Sequence, residues 1–136
     1  MENKYYTPEI TDIRIGYECE INESLGYKDE FSRITIGYKE EDGAYTNELS
    51  TIVNMIDDGY GIIRTPYLTA EQLEAEGWIV ESHILGHYAQ KDGWVLLYDN
   101  VDKVAEISEE DDTIICFSGN CPSINEFRII TKLLGI

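Results

Sequence analysis

The feature that most constrains the fold of this chain is a strict alternation of apolar and polar residues. Between residues 12 and 21 every second residue is apolar, from Ile13 to Ile21, and the intervening residues are charged or small. Successive side chains of a β-strand point to opposite faces of a sheet, so this pattern predicts a strand with one buried face. Residues 33–39 alternate in the same way and end at an acidic turn that contains Gly43. We expect these two strands to pair as an antiparallel ribbon.

A helical period follows the first two strands. Four apolar residues are spaced so that they share one face of a helix, and Gly59 stands where a helix commonly ends in the left-handed conformation. A short strand over residues 62–65 comes next and is limited by Pro66. The four residues of the helical face are Leu49, Ile52, Val53 and Ile56.

Two later helices have clear start signals. Thr69 with Gln72, and Ser123 with Glu126, have the spacing of a capping box, in which each side chain binds the other residue's backbone N–H group. Between these helices the alternation returns. It predicts four strands, at residues 78–84, 93–98, 104–108 and 113–118.

The predicted order of elements is therefore ββαβαββββα, with about seven strands and two or three helices. This order indicates an α+β fold with a largely antiparallel sheet. A chain of 136 residues can bury one hydrophobic core. We therefore expect a single domain over residues 1–136, in which residues 1–8 form a flexible N-terminal arm.

The chain is strongly acidic, with 10 Lys and Arg against 27 Asp and Glu and a formal net charge of −17. Such a charge repels nucleic acid phosphates and anionic membranes, so we expect neither membrane binding nor nucleic-acid binding through a basic face. It favours a partner with a basic surface; alternatively, it only keeps the protein soluble. The cysteines form no disulfide pattern and no long apolar run is present, so we expect a cytoplasmic protein.

Two histidines, His83 and His87, are the residues that most suggest catalysis or metal binding. Two imidazoles could begin a zinc site, but the sequence has no HExxH motif, and Gly86 is expected to break the strand between them. The phosphate-binding glycine loops and the nucleophile elbow are also absent. We therefore assign no catalytic residue, metal or cofactor, and the sequence favours a protein that is not an enzyme. A small metal-dependent hydrolase or nuclease is the alternative.

The cysteines near the C-terminus differ in their surroundings. Cys116 lies in an apolar segment and is expected in the core, whereas Cys121 is a candidate for an exposed thiol.

The chain contains 10 tyrosines, a residue that is favoured at binding surfaces. The candidate binding residues combine aromatic groups with the few cations that could meet an anionic ligand. They are Arg14, Arg33, Arg64, Tyr67, His83, His87 and Trp94, with Lys91 as a further cation.

Three blocks of sequence lie at the two ends and in the middle of the chain. They are Tyr6-Thr7-Pro8-Glu9-Ile10 with Gly16-Tyr17-Glu18, the segment from Tyr67 to Trp78, and Phe117-Ser118-Gly119 with Leu134-Gly135-Ile136. In this order they resemble small proteins of Bacteroidota phages and prophages, which carry YTPEI-like, YL…DIESLGW and F.G…LGI segments. The middle block departs from that pattern at Ala70-Glu71. The resemblance implies a phage or prophage origin and a location in the host cytoplasm; it supplies no catalytic residues.

Together these features predict a non-enzymatic binding protein, encoded by a phage or mobile element, that acts on a host factor, for example as an anti-defence protein. It would either cover the basic surface of a host protein or sequester a small anionic signalling nucleotide. A structural virion or assembly component is a further alternative, and the sequence leaves a homo-oligomer open.

Overall fold

The computed structural model of the protein describes residues 4–22, 30–37, 53–54, 62–111 and 114–136. The chain separates into two compact units, Met1–Pro66 and Tyr67–Ile136. The fold is α+β, as predicted, and each unit contains one antiparallel sheet. In the described part of the chain the sheets have four and five strands, so the predicted single sheet of about seven strands differs in detail. The expectation of one domain over residues 1–136 stays a prediction.

The first unit is built on a four-stranded sheet with the order β1-β4-β2-β3. Its strands are β1 (Tyr5–Tyr6), β2 (Glu18–Asn22), β3 (Ser32–Thr35) and β4 (Ile62–Pro66). The buried core of this unit includes Tyr17, whose hydroxyl shares a hydrogen bond of 2.7 Å with the buried Thr65 hydroxyl. The apolar residues buried with Tyr17 are Ile13, Cys19, Ile21, Ile36 and Ile63.

The predicted strand over residues 12–21 is correct only in its second half. Residues 10–12 form a short 3-10 helix, and Gly16 has a left-handed φ of 89° in the turn that precedes β2. The antiparallel pairing of β2 with β3 is confirmed. The predicted arm over residues 1–8 includes β1, which the structure pairs with β4 instead. Of the predicted helix over residues 49–56, only Val53 and Asn54 are described, and both are helical; the rest lies outside the described residues.

The second unit contains a five-stranded sheet in which each strand pairs with the next along the chain. Its strands are β5 (Ile79–His83), β6 (Gly86–Lys91), β7 (Trp94–Asp99), β8 (Val104–Glu109) and β9 (Ile115–Asn120). Two helices, α1 (Ala70–Ala75) and α2 (Ile124–Leu134), belong to the same unit. Their apolar residues share one core with the sheet, in which the rings of Trp78 and Phe127 meet edge to face at 5.7 Å.

Both predicted capping boxes are confirmed. The Thr69 hydroxyl accepts a hydrogen bond of 3.2 Å from the Gln72 N–H, and the Gln72 side chain accepts one of 3.1 Å from the Thr69 N–H. Ser123 and Glu126 form the same reciprocal arrangement at the start of α2. Gly135 ends α2 with a left-handed φ of 78°.

Strand β6 is absent from the sequence prediction. Its sequence, GHYAQK, has no alternation of strongly apolar residues, so nothing in it indicates a strand. The turn at residues 84–85 and the predicted turn at Asp92-Gly93 connect it to its two neighbours. Asp92 and Gly93 both have positive φ, 49° and 86°, as a tight hairpin turn requires.

Candidate functional site

The five-stranded sheet buries one of its faces and leaves the other open. Ala89, Leu96 and Ile107 point into the core and are fully buried. The residues between them point the other way, and among these Leu97 is 47% exposed. The pairing register aligns one residue of each strand across this second face, namely Glu81, Tyr88, Leu97, Glu106 and Ser118. We call this side of the sheet the open face.

The open face combines apolar side chains with carboxylates. Ile79 is 77% exposed and Ile115 is 51% exposed, although both are large aliphatic residues. Glu81, Asp99 and Glu106 lie on the same face. Among the residues that β5 to β9 contribute to this face there is no Lys or Arg. The field in front of it is therefore negative.

A shallow groove of about 590 Å³ lies at one end of the open face. Apolar side chains, including Leu97 and Val104, line it together with the carboxylates of Asp99, Asp102 and Glu106. The Asp99 carboxylate accepts hydrogen bonds of 2.7 and 3.2 Å from the N–H groups of residues 101 and 102. These bonds fix the acidic turn at the rim of the groove.

Gly86 also lines the groove, at a point where no other residue fits. A Cβ atom at this position would lie 1.8 Å from the backbone carbonyl oxygen of Tyr98 on β7. The absence of a side chain allows β6 to approach β7 at this end of the sheet.

The turn between β5 and β6 carries two exposed aliphatic residues. Ile84 is 97% exposed and Leu85 is 69% exposed. Leu85 also lines the groove, so this aliphatic tip is continuous with it. Adjacent exposed aliphatic residues on a protein surface commonly mark an interaction site.

The two predicted histidines lie on opposite faces of the β5–β6 hairpin. His83 pairs with Gly86 and is exposed on the open face, whereas His87 pairs with Ser82 on the face directed to the core. The two residues nevertheless lie on adjacent strands, and both line the groove.

His87 is held in a defined orientation. Its Nδ1 shares a hydrogen bond of 2.9 Å with the Ser82 hydroxyl, and its ring lies parallel to that of Tyr98, with 6.1 Å between the centroids. Burial lowers the pKa of His87 from its ordinary value of 6.5; the Glu71 carboxylate opposes this shift, and the positive charges of His83 and Lys103 add to it. These surroundings therefore favour the neutral imidazole.

Arg33 and Arg64 lie on one face of the first unit's sheet, where both pair across the strands with Glu20. Arg33 contacts the Glu18 carboxylate at 3.2 Å, and Arg64 contacts that of Glu20 at 2.7 Å. The Arg64 guanidinium also lies 3.6 Å from each of two ring centroids, those of Tyr5 and Phe31. Both arginines therefore make their charge and cation–π contacts with residues of the first unit.

The remaining predicted binding residues also have local contacts. Arg14 donates a hydrogen bond of 3.0 Å to the Asp12 carbonyl, and Lys91 donates one of 2.8 Å to the Glu76 carbonyl. The Tyr67 ring lies under the Lys103 ammonium at 4.4 Å, and Trp94 packs against the core of the second unit.

The expectations for the two C-terminal cysteines are reversed by the structure. Cys116 is exposed and Cys121 is fully buried. The register of β8 and β9 shifts at residues 107 and 108, which makes Cys116 the extra residue of a β-bulge and turns it away from the core. Burial raises the pKa of the Cys121 thiol to about 12, and that of the Cys19 thiol to about 12 as well. Neither buried thiol is a nucleophile at neutral pH.

The described residues contain no group of three or more His, Cys, Asp and Glu side chains that could hold a metal ion. Within the same residues, no helix has the length and apolar character needed to cross a membrane.

The exposed aliphatic residues of the candidate site, Ile84, Leu85 and Leu97, are not among the binding residues that the sequence predicts. The run Trp94-Val95-Leu96-Leu97-Tyr98 is apolar throughout, so it does not show which residues face the core. The available signal is the pair Ile84-Leu85 between two histidines, where a tight turn would ordinarily be polar.

Comparisons with protein family models, with curated proteins and with solved structures found no match to this chain.

Proposed function

We propose that this protein is a non-enzymatic binding protein that takes up a basic segment of a partner protein on its open face. The observation that carries the proposal is the combination of exposed aliphatic side chains and carboxylates on one sheet face without a cation. Burial of the aliphatic residues provides affinity, because transfer of apolar surface out of water is favourable. The surrounding carboxylates attract a basic partner and determine its orientation.

A protein partner fits the groove better than a nucleotide does. The carboxylates of Asp99, Asp102 and Glu106 line the groove and would repel a phosphate group. Of the four cations that could offset an anion, Arg33 and Arg64 contact carboxylates, and Arg14 and Lys91 donate hydrogen bonds to backbone carbonyls. Blocking of a basic host surface is therefore the version of the function that we favour over nucleotide sequestration.

The phage or prophage origin, the host-cytoplasm location and the anti-defence role belong to the same proposal. They follow from the resemblance of the three sequence blocks and would make the partner a host protein. Neither a metal-dependent hydrolase nor a virion component has a specific observation in its favour. In particular, His83 and His87 lie on opposite faces of their hairpin.

The test compares partner capture by the wild-type protein and by two charge variants. Leu97→Lys places a cation in the groove, and Leu133→Lys places one on α2, outside the open face, where Leu133 is 81% exposed. Each immobilised protein is incubated with lysate of a Bacteroidota host, and the bound proteins are quantified by mass spectrometry.

We expect a protein with a basic surface to bind the wild type and the Leu133→Lys variant but not the Leu97→Lys variant, and to dissociate at high salt. Equal capture by all three proteins would contradict the proposed face. If native mass spectrometry detects a nucleotide that copurifies with the wild type, the protein-partner hypothesis is wrong and nucleotide sequestration is supported instead.

A further inference from the structure

Strand β5 forms an open edge of the five-stranded sheet. Among the described residues it pairs with β6 alone. Ile79 is 77% exposed, and residues 81–83 are exposed as well. An edge strand presents a row of N–H and C=O groups that a further strand can use.

The opposite edge strand, β9, has a feature that discourages strand addition. Strand β5 lacks this feature. The β-bulge at Cys116 interrupts the register of β9 with β8. Bulges twist an edge away from a flat approach and are a common protection of edge strands. Strand β5 keeps an unbroken register with β6 over its five residues, from Ile79 to His83, and contains no Pro or Lys.

Strand β5 also carries exposed aliphatic residues at both of its ends. Ile79 lies at its start, and the tip formed by Ile84 and Leu85 follows its last residue. Leu85 belongs to the lining of the groove as well. A segment that lies along β5 would therefore meet an apolar residue at each end and reach the groove without a break.

We infer that the partner binds by adding an extended basic segment to β5 as a further strand of the sheet; this inference rests on the proposed function. Backbone hydrogen bonds to β5 would hold the segment, and its side chains on the open face would give selectivity. A basic residue would lie beside Glu81 and an apolar one beside Ile79. A basic segment fits this edge better than a second copy of this chain, because two molecules that each carry a formal charge of −17 repel each other.

The inference is tested with the full-length protein and a synthetic peptide of Lys-Lys-Val-Val repeats as the probe (the Lys-Val peptide), in which Lys and Val alternate along each face of an extended strand. A peptide of the same length with Asp in place of Lys is the control for charge. Hydrogen–deuterium exchange followed by mass spectrometry measures the protection of residues 79–83 on β5 and of residues 115–120 on β9.

We expect the Lys-Val peptide to slow exchange in residues 79–83 and to leave residues 115–120 unchanged, and the Asp-Val peptide to do neither. Glu81→Lys should weaken binding of the Lys-Val peptide about fivefold, since it replaces a cross-strand attraction by a repulsion. Its thermal unfolding, compared with that of the wild type, shows that the variant is folded.

The outcomes separate the inference from the proposed function. If the peptide binds, and Leu97→Lys abolishes binding, but exchange at residues 79–83 is unchanged, strand addition is wrong and the open face remains the binding site. If the Lys-Val peptide does not bind at all, or binds no better than the Asp-Val peptide, both are wrong.

Discussion

Replacement of Gly86 by alanine perturbs the closest backbone approach in the candidate site. Gly86 begins β6 and pairs with His83 on one side and Asp99 on the other. The added Cβ would lie 1.8 Å from the Tyr98 carbonyl oxygen. An ordinary carbon–oxygen contact is about 3.3 Å, so the strands must separate locally by roughly 1.5 Å. A rotamer change cannot relieve the overlap, because the obstructing atom belongs to the backbone.

The expected loss of stability follows from this separation. Moving the start of β6 weakens hydrogen bonds to both neighbouring strands, and each such bond contributes about 0.5–1.5 kcal/mol net. Overpacking of a well-packed site commonly costs about 1–3 kcal/mol. We therefore expect Gly86→Ala to lower the free energy of unfolding by about 2–3 kcal/mol, which corresponds to a decrease in Tm of roughly 10 °C for a chain of this size.

Urea and thermal unfolding followed by circular dichroism measure this effect. The matched control is Gly119→Ala in the same sheet, where the added Cβ would meet only the Phe117 ring, at 3.3 Å. Because that ring is a side chain and can move, we expect the control to lose less than about 1 kcal/mol. Equal stabilities of the two variants would refute the reasoning, since they would show that the close approach of Gly86 to Tyr98 is not required.

Three further predictions concern the C-terminal helix, the thiols and the pH dependence. Ser123→Ala removes the N-cap of α2 and should lower the free energy of unfolding by about 1 kcal/mol in urea, and an unchanged value would contradict the capping role. A thiol reagent should modify Cys116 in the native protein and reach Cys19 and Cys121 only after denaturation. The reason is that Cys19 and Cys121 are buried, and burial raises the pKa of each thiol to about 12. Rapid modification of all three thiols in the native protein would be inconsistent with the fold. Because burial lowers the pKa of His87 below its ordinary value of 6.5, the unfolded chain binds more protons just below that pH, so stability should decrease as the pH falls through this range. The decrease, measured by urea unfolding at neutral pH and at about pH 5.5, should be larger in the wild type than in His87→Gln, and equal decreases would show that His87 makes no contribution.

The parts of the fold that the sequence predicts correctly are those that depend on local interactions. The capping boxes at Thr69 and Ser123 join residues three positions apart, so their spacing in the sequence already contains the interaction. The α+β class follows from the periods of the apolar residues. Alternation alone failed at residues 12–17, where Ile13 and Tyr17 are buried but lie outside any strand: Ile13 follows a 3-10 helix and Tyr17 follows a turn.

The candidate site depends on interactions between strands, which one sequence does not reveal. The partners of Arg33 and Arg64 lie on the neighbouring strand β2, so neither ion pair could be inferred from spacing along the chain. The bulge that exposes Cys116 is a property of the register between β8 and β9. The open face itself depends on which side of the sheet packs against the helices, and the uniformly apolar sequence of β7 does not determine this.

The distribution of charge bears on whether the acidity serves binding, as proposed, or only keeps the protein soluble. Cations of the described chain are used in internal contacts, as in the ion pairs Arg33–Glu18, Arg64–Glu20 and Arg128–Glu76. The carboxylates of the open face surround aliphatic side chains that are about half to three-quarters exposed, such as Leu97 and Ile79. Exposed aliphatic residues reduce solubility, so selection for solubility alone would replace them rather than surround them with charge. Under the proposed function the two features act together, because the aliphatic residues become buried when a basic partner binds.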